Sequence, residues 1–211
     1  MRVTIVYDNT TGQENLAADW GFSCLVEAHG KTILFDTGAR ADILAQNMKT
    51  LRIEPSRIDA VFISHDHWDH TGGLSAVSGI DRMNIYVPGS LQSMPDLHGL
   101  RRIAGPAKIF DEIFSTGALK AIEHSLVIRQ EEGLIVVAGC SHPGVGEILT
   151  AASAFGHPAA LIGGLHGFDD FELIAGLSCI CPTHCTRHID RIAAMYPQQY
   201  VSGGAGRVLD L

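Results

Sequence analysis

Apolar and polar positions along the chain follow two periods, and the switches between them mark out the elements. Short runs rich in Val, Ile, Leu and Phe at residues 3–7, 22–28, 32–35, 60–63, 84–87, 125–129, 134–138, 159–162 and 178–181 fit strands. Residues 39–48, 146–154 and 188–195 fit helices. Several strands end in Gly beside His, Asp or Cys, as when a sheet offers functional groups at its carboxyl edge. The segment 89–117, with Pro95, Pro106 and several glycines, is the least regular and reads as an insertion over such a site. No linker, charge block or repeat divides the chain, so one α/β domain over residues 1–211 is expected.

Composition narrows the partners. With 211 residues, 46% hydrophobic and 18% charged, the chain can bury a sizeable core. Fifteen Lys and Arg against 23 Asp and Glu, net -8, argue against nucleic acid, whose binding draws on basic side chains displacing counterions. A small-molecule substrate is the expected partner. The segment Met1-Arg2-Val3-Thr4-Ile5-Val6 enters a strand pattern without the features of a signal peptide. No apolar stretch approaches the ~20 residues that span a bilayer, so a cytoplasmic protein without membrane association is expected. The cysteines, Cys24, Cys140, Cys179, Cys181 and Cys185, are odd in number in a chain too large to need staples, which points to reduced thiols.

The strongest chemical signal is Ser64-His65-Asp66-His67-Trp68-Asp69-His70-Thr71-Gly72-Gly73, directly after the apolar strand 60–63. On an extended strand end, His65 and His67 project to the same side and can share a metal ion, and Asp69 and His70 follow at the turn into a helix. Neutral imidazoles suit Zn²⁺, Fe²⁺ or Mn²⁺, and a carboxylate balances charge and can orient a water for attack. A surface His-rich loop or a helix cap built on Asp69 and Thr71 is the bland alternative, disfavoured by the density of ligand-type residues.

Further histidines sit at turns after apolar strands: His142 in Gly139-Cys140-Ser141-His142-Pro143-Gly144, His166 in Gly163-Gly164-Leu165-His166-Gly167, and His184 in Cys181-Pro182-Thr183-His184-Cys185. His142 and His184 fit ligands. His166 is evenly balanced between a ligand and a group that hydrogen-bonds ligand or substrate. Cys140 borders this set and could be a ligand in its own right. Cys179, Cys181 and Cys185 lack the paired spacing of a zinc finger and read mainly as small buried residues. Asp36, in Leu34-Phe35-Asp36-Thr37-Gly38, fits an Asx turn or cap, or a carboxylate that orients a ligating imidazole. His29, His98, His124, His157 and His188 read as ordinary histidines, with His124 the one to watch.

The pattern His65-x-His67-x-Asp69-His70-Thr71-Gly72-Gly73, with the Phe35-Asp36-Thr37-Gly38 turn upstream, resembles the signature of the metallo-β-lactamase superfamily. Asp8-Asn9, Gly21-Phe22-Ser23 and the three His turns together resemble its dihydropterin-ribofuranosylaminobenzene-phosphate synthase-like branch, from the first strand to about Arg187. The resemblance implies an αββα sandwich with metals at one edge between the sheets. It departs in two ways. The superfamily's further His between the main cluster and the bridging ligand has only His98 and His124 to supply it, and the usual bridging Asp is absent from the Gly139 turn.

The function expected is a metal-dependent hydrolase using a metal-activated water or hydroxide. One or two divalent ions, zinc first and iron or manganese as alternatives, would lie on His65, His67, Asp69, His70, His142 and His184, with Asp69 and His166 as catalytic groups. Small phosphoesters, including pterin-like ones, are the expected substrates on the branch resemblance. Lactone, thioester or other acyl hydrolysis, or a diiron redox or oxygen-handling role, are the alternatives.

Overall fold

In the computed structural model residues 1–77, 83–92 and 99–211 are described. The chain opens with strands β1 (Arg2–Tyr7), β2 (Ser23–Ala28) and β3 (Lys31–Phe35), followed by helix α1 (Ala41–Thr50), β4 (Ala60–Phe62) and the short helix α2 (Trp68–Thr71). Strands β5 (Asn84–Pro88), β6 (Leu100–Ile103), β7 (Ala107–Phe110), β8 (Ile113–Ser115), β9 (Leu126–Gln130) and β10 (Gly133–Ala138) come next. Helix α3 (Val145–Ala152), β11 (Pro158–Gly164), β12 (Cys179–Thr183), α4 (Ile189–Met195) and β13 (Val208–Asp210) complete the order.

Two sheets result, one ordered β13-β1-β2-β3-β4-β5-β6 and the other β12-β11-β10-β9-β8-β7. Strands β3 to β6 run parallel in the first, and β10 to β12 run parallel in the second. The remaining pairs are antiparallel. Parallel strands put their carboxyl ends on one rim, and the His turns follow from that rim.

Alternation within the strands explains the layering. Ile33, Phe35 and Phe62 pack between the sheets against Ile128, Ile135, Val137 and Ile162. Their neighbours Leu34, Val61 and Ile63 point the other way, onto Leu44 and Met48 of α1. On the second sheet, Val136, Leu161 and Ile180 face outward onto Ile148 of α3 and Ile192 of α4. Strands buried on both faces are apolar throughout, which is why 60–63 has no polar position before Ser64. The architecture is therefore helix, sheet, sheet, helix, the αββα sandwich the resemblance implies. Among the described residues, no helix is long and apolar enough to cross a membrane.

One expectation is corrected. The described part of segment 89–117 is not an irregular cover: it contributes the edge strands β6 and β7 and the adjacent β8, and crosses from one sheet to the other between them. Strands of three or four residues are too short to leave a periodic trace, and Pro106 and the glycines mark only the corner. Residues 93–98, His98 among them, lie outside the described residues.

Candidate metal centre

The parallel strand ends converge through one buried carboxylate. Asp36 directly follows β3, and parallel pairing sets it beside the end of β4. Its Oδ1 accepts the Ser64 N–H at 2.7 Å, and its Oδ2 accepts the Ser64 hydroxyl at 2.7 Å and His70 Nδ1–H at 2.6 Å. This network assigns protons. Ser64 spends its one hydrogen on Asp36, so its Oγ accepts from His65 Nδ1, 2.9 Å away. Both His65 and His70 are thereby protonated on Nδ1, and each turns the lone pair of Nε2 towards the centre.

Four strand ends carry a residue in the left-handed region: Asp36 (φ 53°), Ser141 (φ 59°), His166 (φ 49°) and His184 (φ 51°). Such backbone is uncommon outside Gly and clusters at functional sites. Here it reverses the chain at the rim and turns the neighbouring side chains inward. At Gly139 even a methyl group is too much, since a Cβ would stand 2.2 Å from Ser64 Oγ and 3.0 Å from His65 Nδ1.

The loop 139–142 is anchored by Glu123. This buried carboxylate accepts N–H groups from Gly139 (2.9 Å), Cys140 (3.1 Å) and Ser141 (3.1 Å) on Oε1, and from His142 (2.9 Å) on Oε2. Burial pushes its carboxyl up to about 7 against the pull of those donors. The His184 turn is held similarly: Asp8 accepts its N–H at 2.9 Å, Asn9 donates to its carbonyl at 2.9 Å, and Asn9 Oδ1 faces His184 Nδ1 at 3.0 Å.

The side chains so placed make two potential ligand groups, His65, Cys140 and His142, and His70, Cys140 and His184, each with donor atoms within 4.8 Å of one another. Cys140 belongs to both, and its Sγ lies 3.2 Å from His70 Nε2. It occupies a shared position for which the chain has no Asp. His67 stands at the exposed rim, with Nδ1 3.1 Å from His65 Nε2 and its ring 4.8 Å from that of His142. Asp69 Oδ2 lies 3.3 Å from His184 Nε2 and 4.0 Å from His70 Nε2. His166 is exposed, its ring 5.2 Å from that of His142. All the sequence-derived site residues thus gather at one rim, with His67, Asp69 and His166 flanking the two groups.

Charge states favour cation binding. Burial and the surrounding imidazoles hold His65 far below its usual range, and burial with His67 and His166 lowers His142 to about 4. Burial opposes charge on Asp69, yet the adjacent His184 and His70 keep it below the ordinary carboxylate range. His70 is the exception: burial opposes its charge, but Asp36 outweighs burial and raises that imidazole, so an ion there competes with a proton. His142 Nε2 and His184 Nε2 are buried without a hydrogen-bond partner, the Asp69 contact being poorly aligned. Unsatisfied buried nitrogens are costly, and lone pairs facing neutral imidazole, thiol and carboxylate donors fit a divalent transition metal.

His124 is not part of the centre. It stacks on Phe62 with centroids 4.0 Å apart, its Nε2 meets Ile63 O at 2.8 Å and its Nδ1 meets Ser115 Oγ at 2.9 Å. Both nitrogens are used, and the third imidazole beside His65 and His67 comes from His142 instead. Residues without an earlier role are Glu123, Asp8, Asn9 and Trp20, whose Nε1 donates to Asp69 Oδ2 at 2.8 Å. Glu123 leaves no local signal, because its four partners lie 16 to 19 residues away.

An αββα sandwich with a His, Cys and Asp cluster at its rim defines a class whose members are generally metal-dependent hydrolases. Residues 21–160 match the family described as the metallo-beta-lactamase superfamily, and the chain belongs to it. It is 30% identical to the 7,8-dihydropterin-6-methyl-4-(beta-D-ribofuranosyl)-aminobenzene-5'-phosphate synthase of Methanocaldococcus jannaschii, across 79% of this chain and 80% of that one. Among solved structures it is similar to Tm1679, described as a metal-dependent hydrolase of the beta-lactamase superfamily, with TM-score 0.80, 25% identity, and coverage of 100% of this chain and 99% of that chain. A diphosphatase from the PhnP family shares the fold, with TM-score 0.61, 13% identity, and coverage of 100% and 97%.

Proposed function

We propose that the chain is a hydrolase of small phosphorylated metabolites, carrying one or two divalent transition-metal ions on His65, His67, Asp69, His70, His142 and His184, with Cys140 as a ligand shared between the pairs. The observation that carries this reading is the junction at Cys140, where two histidine pairs meet one thiol and two buried imidazole nitrogens, His142 Nε2 and His184 Nε2, make no hydrogen bond. Thiol and imidazole donors favour zinc or iron over magnesium or calcium. An ion bound there would supply Lewis acidity towards an ester oxygen and bring the pKa of a water down towards ~7.

The chain's own groups supply the rest. Asp69, held ionised, accepts a hydrogen from an incoming water and orients it. His166, exposed beside His142, can pass a proton to the departing oxygen. Trp20 donates to Asp69 and is 50% exposed, which leaves an indole face at the rim for a flat ring. The phosphate and pterin in the relative's name, and the net charge of -8 that disfavours nucleic acid, support a small aromatic phosphoester.

The test is metal content per chain for wild type, His184→Ala and Cys140→Ala, with the same samples assayed on aryl and alkyl phosphoesters, lactones and thioesters. Wild type should carry one or two equivalents of zinc, iron or manganese, and both variants should lose metal and phosphoesterase activity together. Wild type that takes up no transition metal on reconstitution sinks the metal reading. Activity confined to lactones or thioesters sinks the substrate class.

A further inference from the structure

The thiol of Cys185 has no role in the reading above, yet it lies against the shared ligand. Cys185 follows His184 in the turn after β12, and its Sγ is 3.9 Å from the Cys140 carbonyl oxygen. Cys185 Sγ and the Cys140 backbone also border the same gap beside Gly164. Gly164, at the end of β11, makes this meeting possible, because a Cβ there would stand 2.7 Å from Cys185 Sγ and 3.3 Å from Cys140 Cα. Cys140 is buried and Cys185 only partly so, which leaves Cys185 the sulfur that a small solute meets first. Cys24, Cys179 and Cys181 are buried in strands of the sandwich.

We propose that Cys140 and Cys185 are an oxidation site for hydroperoxides, closing to a disulfide that withdraws the shared sulfur from both histidine pairs. In the first step the Cys185 sulfur attacks the terminal oxygen of the hydroperoxide. An S–O bond forms, the O–O bond breaks, and an alcohol (or water) leaves with the thiol proton. In the second step the Cys140 sulfur displaces the hydroxyl from Cys185: the S–S bond forms, the S–O bond breaks, and water leaves with the second proton. Two thiols lose two electrons, and one hydroperoxide is reduced to alcohol and water. A dithiol reduces the bond back to two thiols by exchange and is itself oxidised to a disulfide.

The consequence for the centre rests on the metal-binding reading, whereas the bond itself does not. Both are tested on the full-length protein, reduced and zinc-loaded, then treated with hydrogen peroxide. The expected result is a loss of about 2 Da per chain, a Cys140–Cys185 cross-linked peptide, and recovery with dithiothreitol. Zinc release from Cys185→Ser should be about tenfold less than from wild type at the same peroxide dose, because its remaining sulfur has no partner to close onto. Equal zinc release from wild type and Cys185→Ser overturns the switch. So does oxygen addition at Cys185 without a cross-link. If the disulfide forms in a protein that never bound zinc, the oxidation site stands and the metal reading falls.

Discussion

Changing Asp36 to Asn alters one atom and a charge, yet it should reverse the proton order of the whole centre. Asp36 Oδ2 accepts from both the Ser64 hydroxyl and His70 Nδ1, so an amide NH₂ in that place donates to both instead. His70 must then carry its hydrogen on Nε2. The Ser64 hydroxyl, freed from Asp36, turns its proton to His65 Nδ1 and drives that ring to the same tautomer. Each ion therefore faces an N–H where it had a lone pair. Removing the group that orients a ligating imidazole costs about 10- to 100-fold in metal affinity, or roughly 1.4 to 2.7 kcal/mol. Because the reversal reaches His65 through Ser64, both groups should weaken, although Asp36 touches only His70 directly. The assay is competition for zinc against a chromophoric chelator, with urea unfolding alongside to establish that the variant folds. A folded Asp36→Asn that binds zinc within about threefold of wild type would refute the proton order.

Further outcomes follow from the same network. Glu123→Gln keeps an oxygen for at most three of the four loop donors, so one buried N–H is stranded and stability should drop by about 1 to 3 kcal/mol in urea; a loss below about 0.5 kcal/mol contradicts the anchoring role. Burial lowers His124 from its usual 6.5 to about 3, so the folded state binds fewer protons there than the unfolded one. Stability from this group is complete above pH 6.5 and is lost as pH falls towards 3, on the order of 5 kcal/mol in all. Metal-free His124→Phe should therefore show a shallower decline on acidification, and an unchanged slope would assign the acid loss elsewhere. Chelation should lower the melting temperature, since an ion at about 1,000 times its dissociation constant adds ~4 kcal/mol, or roughly 10 °C at this chain length. A melt indifferent to chelator would mean that no ion stabilises the fold.

The legible parts of the fold and site share a physical cause. Strand β4 is apolar at every position because helix and sheet cover its two faces, and the His cluster follows it without a gap, so both were visible within a window of about ten residues. The turns carrying His142, His166 and His184 stood out because a His in a Gly- or Pro-bearing turn after an apolar run is a local arrangement. Strands β6 to β8 were not visible, for each is only three or four residues long, and the edge strands β6 and β7 are half-exposed and mix charged with apolar positions.

Of the carboxylates that organise the site, Asp36 was legible in its turn after β3, whereas the roles of Glu123 and Asp8 fall on the other side of that divide. Glu123 lies between Ile122 and His124 with no motif around it, and Asp8 reaches His184 across 176 residues. Their roles follow from topology, because only after the parallel strands deliver the His turns to one rim do those turns expose N–H groups that need a carboxylate. His124 shows the converse error that a residue list invites. It carries a ligand-type ring near the cluster, but the strand pairing that seats it against Phe62 also supplies Ile63 and Ser115 as partners for both nitrogens. A ligand differs from a satisfied core histidine by an unfilled lone pair. His142 and His184 keep an Nε2 with no hydrogen bond, which is why the metal reading leans on these two nitrogens and on the sulfur between the pairs more than on the His65–His70 motif.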